Sequence, residues 1–124
     1  MTIAPLSPIG HVAGATLPRQ AAGYTALGSL PAPGQHQATY AFDKDDSRMA
    51  VATLWGDPTY QGTPLGGDRW YAQSRCGTLD KIDERTQTAC VTPLVDGVLT
   101  VVGTTAQTPE ELAALANALV AALP

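Results

Sequence analysis

The sequence predicts an α+β fold, in which an antiparallel sheet of five or six strands has a C-terminal helix packed across it. Two patterns predict this class. Short segments of alternating apolar and polar residues are separated by turns rich in glycine and proline, and one amphipathic segment ends the chain. Only 15% of the 124 residues are charged, and Thr, Ala, Gly and Pro replace them, which favours strands and loops over surface helices.

The chain divides into two parts by composition. Residues 1–20 contain three prolines and no sustained periodicity, so we expect an extended N-terminal arm or linker. Residues 21–124 are long enough to bury a core, and we expect them to form a single α+β domain.

The first strands follow this arm. GYTALGS is a candidate short strand, and QATYAF and RMAVATLW both alternate on either side of the acidic stretch Asp43 to Ser47, which predicts a β-hairpin. The D-x-D-x-S spacing of this stretch is also the start of a calcium loop. Arg48 and Leu54 stand where such a loop requires Gly and Glu, which favours a solvated turn.

The next segment, Gly56 to Asp68, contains four glycines and two prolines, which predicts the longest internal loop. RWYAQSRC then resumes strand character, followed by TACVTPLV and, after the turn at Asp96 and Gly97, by VLTVVGT. The last segment carries apolar residues towards both faces, which predicts a central strand covered on both sides.

The helix signal lies in TPEELAALANALVAAL. Thr108 is the predicted N-cap, Pro109 occupies the first turn, and Glu111 completes a capping box. An apolar stripe at helical spacing comprises Leu112, Leu115, Ala116, Leu119, Val120 and Leu123. The opposite face is small rather than charged, and it either packs against a second surface or lies exposed; it comprises Ala113, Ala114, Asn117, Ala118, Ala121 and Ala122.

The final strand and its capped helix, VVGTTAQTPEELAALANALVAAL, together with the Ala/Thr/Pro/Gly bias, give the chain a family resemblance. Approximately residues 70–124 resemble the small exported or lipoprotein-type domains of actinobacteria, some of which have a Mog1/PsbP-like fold of sheet and helix. The resemblance implies that fold and an exported location. It rests on composition, and no functional residue carries over from it.

The two cysteines, Cys76 and Cys90, lie on either side of a turn-forming stretch centred on Asp83. If the flanking segments pair about Asp83, the cysteines face each other across the ladder, which predicts a disulfide. A zinc site would require two further ligands, and neither His11 nor His36 has a suitable spacing. A reactive thiol would require a histidine nearby in space. The disulfide interpretation favours an extracytoplasmic location.

Charge, hydropathy and the absence of known motifs exclude several classes of partner and cofactor. The net charge is −4 and the arginines are scattered, so we expect no nucleic-acid binding. No stretch is long and apolar enough for direct membrane insertion, although an anchor upstream of Met1 is compatible with the Pro- and Gly-rich lead-in. The sequence contains no serine-hydrolase elbow, no Walker pattern and no dinucleotide-binding glycine pattern, so we expect no cofactor and no metal.

Aromatic residues cluster on both sides of the predicted loop 56–68. Exposed, these rings and the neighbouring arginines would form a binding platform; buried, they would be the large residues of the core. The candidate ligand-binding residues are Trp55, Tyr60, Arg69, Trp70, Tyr71 and Arg75.

Three hypotheses on function follow from this pattern. The first is a non-catalytic extracytoplasmic domain that binds a small ligand or a protein partner through loop 56–68 and its aromatic borders. The second is a small hydrolase-type enzyme that uses carboxylates brought together by the fold, drawn from Asp57, Asp68, Asp80, Asp83 and Glu84. The third is a structural or oligomerising module that uses the alanine face of the last helix. The oligomeric state is open.

Overall fold

The computed structural model describes residues 9–27, 37–56, 65–80, 86–103 and 107–123. Within these ranges the chain forms eight strands and one helix, which confirms the α+β class. The elements are β1 (Gln20–Ala21), β2 (Tyr24–Ala26), β3 (Gln37–Phe42), β4 (Asp45–Trp55), β5 (Gly66–Tyr71), β6 (Ser74–Asp80), β7 (Thr86–Pro93), β8 (Val98–Gly103) and α1 (Pro109–Ala121).

The predicted count of five or six strands is wrong because two turns carry weak sequence signals. RWYAQSRC, predicted as one strand, is the hairpin of β5 and β6, and its turn contains Ala72 at φ 55°. A second turn joins β1 to β2 through Ala22 at φ 50° and Gly23 at φ 81°. Neither turn has the usual Asn-Gly or Asp-Gly signature, and alanine rarely adopts positive φ. The sequence therefore contains no clear signal for either turn.

The loop predicted at 56–68 ends earlier than expected, because its last three residues form the start of β5. Gly66, Gly67 and Asp68 belong to β5. They pair irregularly with β6, since the register shifts between Gly66 and Arg69, and glycine-rich residues are typical of such bulges.

The sheet consists of two antiparallel meanders joined side by side. Its order is β1-β2-β3-β4-β8-β7-β6-β5. After β4 the chain crosses to the far edge, and β5 to β8 then return strand by strand until β8 pairs with β4. The prediction that VLTVVGT forms a central strand is confirmed for Val98–Gly103. The predicted cover on both sides is found on the helix side only, since Thr100 and Val102 on the other face are half-buried. The predicted hairpin of QATYAF with RMAVATLW is also confirmed, but its turn is shorter than the predicted Asp43 to Ser47: only Asp43 and Lys44 form the turn, and β4 begins at Asp45.

The core lies on the face of the sheet that α1 covers. Directly opposed residues in an antiparallel sheet share a face. One such row contains Cys76, Cys90, Val101, Ala52 and Ala38, all of them buried. Helix α1 packs against β6, β7 and β8 above this row. The other face, which we call the open face, therefore carries the intervening residues of each strand.

Helix α1 begins as the capping signal predicts. Thr108 Oγ1 accepts a hydrogen bond from Glu111 N at 3.2 Å, and Pro109 is the first helical residue. The Glu111 carboxylate lies 3.0 Å from Arg48 Nη1 of β4, which ties the helix N-terminus to the sheet. The apolar stripe is buried except for Leu123, which follows α1 and is partly buried. Ala113, which the sequence placed on the opposite face, is also buried.

The segment before β1 packs against the core although it contains no regular element. Val12, Ala15 and Leu17 are buried in the core. The Asp96 carboxylate accepts hydrogen bonds from Val12 N at 2.6 Å and Ala13 N at 3.1 Å. The bond from Val12 is the main cause that lowers the pKa of Asp96. Residues 9–19 of the predicted arm are therefore held against the domain.

A small polar cluster lies between α1 and the sheet. The Ser74 hydroxyl is 2.7 Å from Thr92 Oγ1 and donates to Asn117 Oδ1 at 2.7 Å. Asn117 Nδ2 in turn donates to the Tyr71 carbonyl at 3.1 Å. Ser74 and Thr92 are fully buried, so Asn117 belongs to the contact between the helix and the β5–β6 hairpin. It does not lie on an exposed face of the helix.

Candidate functional site

A groove crosses the open face above the centre of the sheet. It has a volume of about 260 Å³. Pockets that enclose drug-sized ligands are typically about 300–1,000 Å³, so this groove suits a small molecule or one segment of a longer one. The lining residues are Gln37, Val51, Thr53, Trp55, Leu65, Ala89, Cys90, Val91, Thr100 and Val102.

Strand alternation explains why these residues meet. In β4 the residues Ala50, Ala52 and Leu54 face the core, so the intervening Val51 and Thr53 face the open side. The pairing of β4 with β8 places Val102 opposite Val51 and Thr100 opposite Thr53. The groove floor is therefore the seam between the two meanders.

Trp55 is the largest side chain of the groove. Its relative exposure is 40%, whereas most apolar residues of β4 are buried. The indole Nε1 donates to Thr100 Oγ1 at 3.0 Å, across the seam between the meanders. This bond orients the ring beside the groove while 40% of the side chain stays exposed, and partly exposed aromatic residues are common contributors to binding.

A second hydrogen bond holds the other polar wall. Gln37 Nε2 of β3 donates to Thr53 Oγ1 at 3.3 Å. Thr53 and Thr100 are half-buried and directly opposed, so the two hydroxyls lie side by side among Val51, Val102 and other apolar residues.

The lining contains no Asp, Glu, His, Lys or Arg among the residues that the structure describes. General acid–base chemistry requires a titratable group at hydrogen-bond reach of the substrate, and no lining residue that the structure describes carries one. In the described ranges no three His, Cys, Asp or Glu side chains lie close enough to share a metal ion.

The predicted aromatic platform is divided by the fold. Trp55 is on β4 and Trp70 on β5, which are four strand spacings apart, or about 19 Å at the usual spacing. Trp70 pairs with Arg75 at the open face near the sheet edge, outside the groove. Tyr71 packs against the core and Arg69 is exposed on β5. Tyr60 lies outside the described residues.

The cysteine prediction is confirmed. Cys76 and Cys90 are directly opposed and joined by a disulfide, with their Cα atoms 4.1 Å apart. Both side chains are buried on the core face, so the disulfide lies beneath the helix, although Cys90 also borders the groove from below. Because disulfides persist in oxidising compartments, the bridge is a weak indication of an extracytoplasmic location.

Sequence reasoning missed most of the groove. Gln37, Thr53 and Thr100 carry its polar groups, and nothing local marks them as a site. The available signal was a threonine within each of two apolar stretches, M-A-V-A-T-L-W in β4 and V-L-T-V-V in β8. Their proximity depends on β8 pairing with β4, which no local pattern shows.

The geometry defines an antiparallel α+β domain with a neutral, mainly apolar groove on the face away from its helix. No protein-family model, curated protein or solved structure matches the chain. In the part of the chain that the structure describes, no helix is both long enough and apolar enough to cross a membrane.

Proposed function

We propose that this protein is a non-catalytic binding domain that acts outside the cytoplasm and holds a small apolar ligand in the open-face groove. The observation that carries the proposal is the exposed Trp55, fixed by its bond to Thr100 beside a neutral groove at the seam of the sheet. A folded domain gains stability by burying such a ring, so its exposure next to a groove favours a binding role.

The groove refines the site expected from the sequence. Trp55 borders loop 56–68, and Leu65 from the far end of that segment also lines the groove. Both ends of the predicted loop therefore reach the groove, while Arg69, Trp70, Tyr71 and Arg75 do not line it. The proposed ligand contacts are the valines of the seam, the two threonines and the indole.

The compartment is part of the proposal. The disulfide supports export, and the resemblance to exported or lipid-anchored actinobacterial domains of Mog1/PsbP-like type supports the same location without a matching relative. The hydrolase and oligomerising alternatives remain predictions. No observation on the described residues favours either above binding.

The test is a titration with α-methylstyrene and acetophenone, two small neutral compounds of nearly the same shape, followed by amide NMR. We expect shifts that concentrate at Val51, Thr53, Ala89, Thr100 and Val102. Trp55→Ala removes the wall and should weaken binding at least about fivefold, the equivalent of about 1 kcal/mol.

Trp70→Ala is the matched control, because it removes an indole from the same face outside the groove. It should leave both affinities unchanged. The proposal fails if neither compound shifts the groove amides, or if folded Trp55→Ala binds as well as the unaltered protein.

A further inference from the structure

The hydroxyl oxygens of Thr53 and Thr100 both act as hydrogen-bond acceptors towards neighbouring side chains. Each oxygen accepts a hydrogen bond from a neighbouring side chain, Gln37 Nε2 for Thr53 and Trp55 Nε1 for Thr100. A hydroxyl has one proton to donate, and among the described residues no acceptor takes the proton of either threonine. Accepting one bond also strengthens the bond that a hydroxyl donates.

Thr53 and Thr100, whose hydroxyl protons have no acceptor among the described residues and are free to be donated, are directly opposed across β4 and β8. The Cβ atoms of such a pair lie about 5 Å apart, so both hydroxyls can reach one oxygen placed above the seam. A carbonyl oxygen has two lone pairs and can accept from both threonines at once. The surrounding Val51 and Val102 offer only apolar contacts to the rest of the molecule.

We infer that the groove selects a neutral carbonyl compound, such as a ketone, an ester or an amide with an apolar body, through a two-hydroxyl clamp formed by Thr53 and Thr100. This inference rests on the proposed function, because it names the ligand class of the same groove. A carboxylate fits less well, since the described lining residues include no cationic side chain to offset the cost of removing an ion from water.

A hydrocarbon of the same shape would fill the apolar part and leave both hydroxyls without an acceptor. Both threonines are only half-buried, so water can still reach them and the loss is moderate rather than prohibitive. One or two neutral hydrogen bonds at about 1 kcal/mol correspond to a preference of about tenfold.

The experiment compares acetophenone with α-methylstyrene, in which a methylene group replaces the carbonyl oxygen. We expect the protein to bind acetophenone about tenfold more tightly. The variant T53V/T100V keeps the β-branched shape and removes both hydroxyls, so it should bind the two compounds equally. Thermal unfolding verifies that the variant is folded, and the single variants T53V and T100V serve if the double variant is not.

The serine variant T53S/T100S is the matched control. It retains both oxygens, including the acceptor of the Trp55 indole, and should keep the preference for the ketone. Loss of preference in this variant would contradict the clamp, and so would a preference that survives in T53V/T100V.

The outcomes separate this inference from the proposed function. Equal binding of the two compounds to the unaltered protein would overturn the clamp and leave the groove as a binding site. Absence of binding by both compounds would overturn the proposed function, and the clamp with it.

Discussion

At the scale of single residues, Gly97 shows how closely the backbone approaches itself beside the groove. A Cβ atom at this position would lie 2.0 Å from the Trp55 carbonyl oxygen and 2.7 Å from Val12 Cγ2. No side chain fits there, so glycine is required by close approach rather than by an unusual φ. The same contact joins the turn before β8, the end of β4 and the N-terminal segment.

We therefore expect Gly97→Ala to lower the free energy of unfolding by about 3 kcal/mol, because the added methyl forces the Trp55 carbonyl away. Urea unfolding followed by tryptophan fluorescence measures the loss. Gly56→Ala is the control: its Cβ would meet Val12 Cγ1 at 3.9 Å, an ordinary contact. Equal stability of the two variants would contradict the crowding at Gly97.

Tyr40 is a second residue whose environment predicts a measurable effect. The ring is fully buried and its hydroxyl donates to the Pro18 carbonyl at 2.6 Å. Burial disfavours the phenolate and raises the pKa of Tyr40 from 10.0 to about 12. The unfolded chain loses this proton near pH 10, whereas the folded protein keeps it until about pH 12.

Stability from this group is therefore fully present below pH 10 and is lost as the pH rises to 12. We expect a loss of about 2 to 3 kcal/mol across that range. Tyr40→Phe is less stable at pH 8 because it lacks the bond to Pro18, but it should lose less stability than the unaltered protein between pH 8 and 12. Parallel slopes in denaturant unfolding would show that Tyr40 does not titrate as described.

At the scale of elements, the contact between α1 and the β5–β6 hairpin depends on the buried hydroxyls and Asn117. Asn117→Ala removes the acceptor of Ser74 and the donor to the Tyr71 carbonyl. Leaving buried polar groups without partners costs about 1–3 kcal/mol, and we expect the free energy of unfolding to fall by that amount.

The comparison variant is S74A/T92V/N117L, which replaces the whole cluster with apolar groups. It should recover part of the stability lost in Asn117→Ala, because none of the three side chains then buries a polar group without a hydrogen-bond partner. Chemical denaturation of both variants provides the measurement. An Asn117→Ala protein as stable as the unaltered one would mean that the cluster does not support the helix.

At the scale of the whole molecule, the disulfide joins two neighbouring strands of the returning meander under the helix. The bridge closes a loop across a sequence separation of 14, which predicts a contribution of about 3 kcal/mol through restriction of the unfolded chain. Cys76 and Cys90 are 1% and 0% exposed, so a reductant reaches the bridge only when the protein opens.

We expect dithiothreitol to leave the bridge intact in native buffer and to reduce it in denaturant. The reduced protein should then unfold at a lower urea concentration than the oxidised protein. Mass spectrometry after alkylation counts the free thiols, and urea unfolding gives the difference in stability. Rapid alkylation of both cysteines under native reducing conditions would contradict the buried position of the bridge.

The sequence by itself determined the features that depend on near neighbours. The capping box at Thr108 fixed where α1 begins, alternation identified β3 and β4 as strands, and apolar segments around the turn at Asp96 and Gly97 identified β7 and β8. The symmetric spacing of Cys76 and Cys90 about Asp83 predicted their register and the bridge. These signals are local because a cap or a hairpin is satisfied within a few residues.

Only the tertiary structure decided how the strands are ordered and which side chains meet. The return of β8 to pair with β4 brought Thr100 to Thr53 and Trp55, and placed Trp70 on a distant edge strand. It also held residues 9–19 against the core through Asp96. Such pairings are chosen by the apolar area that the whole sheet and helix bury together, which no short stretch of sequence encodes.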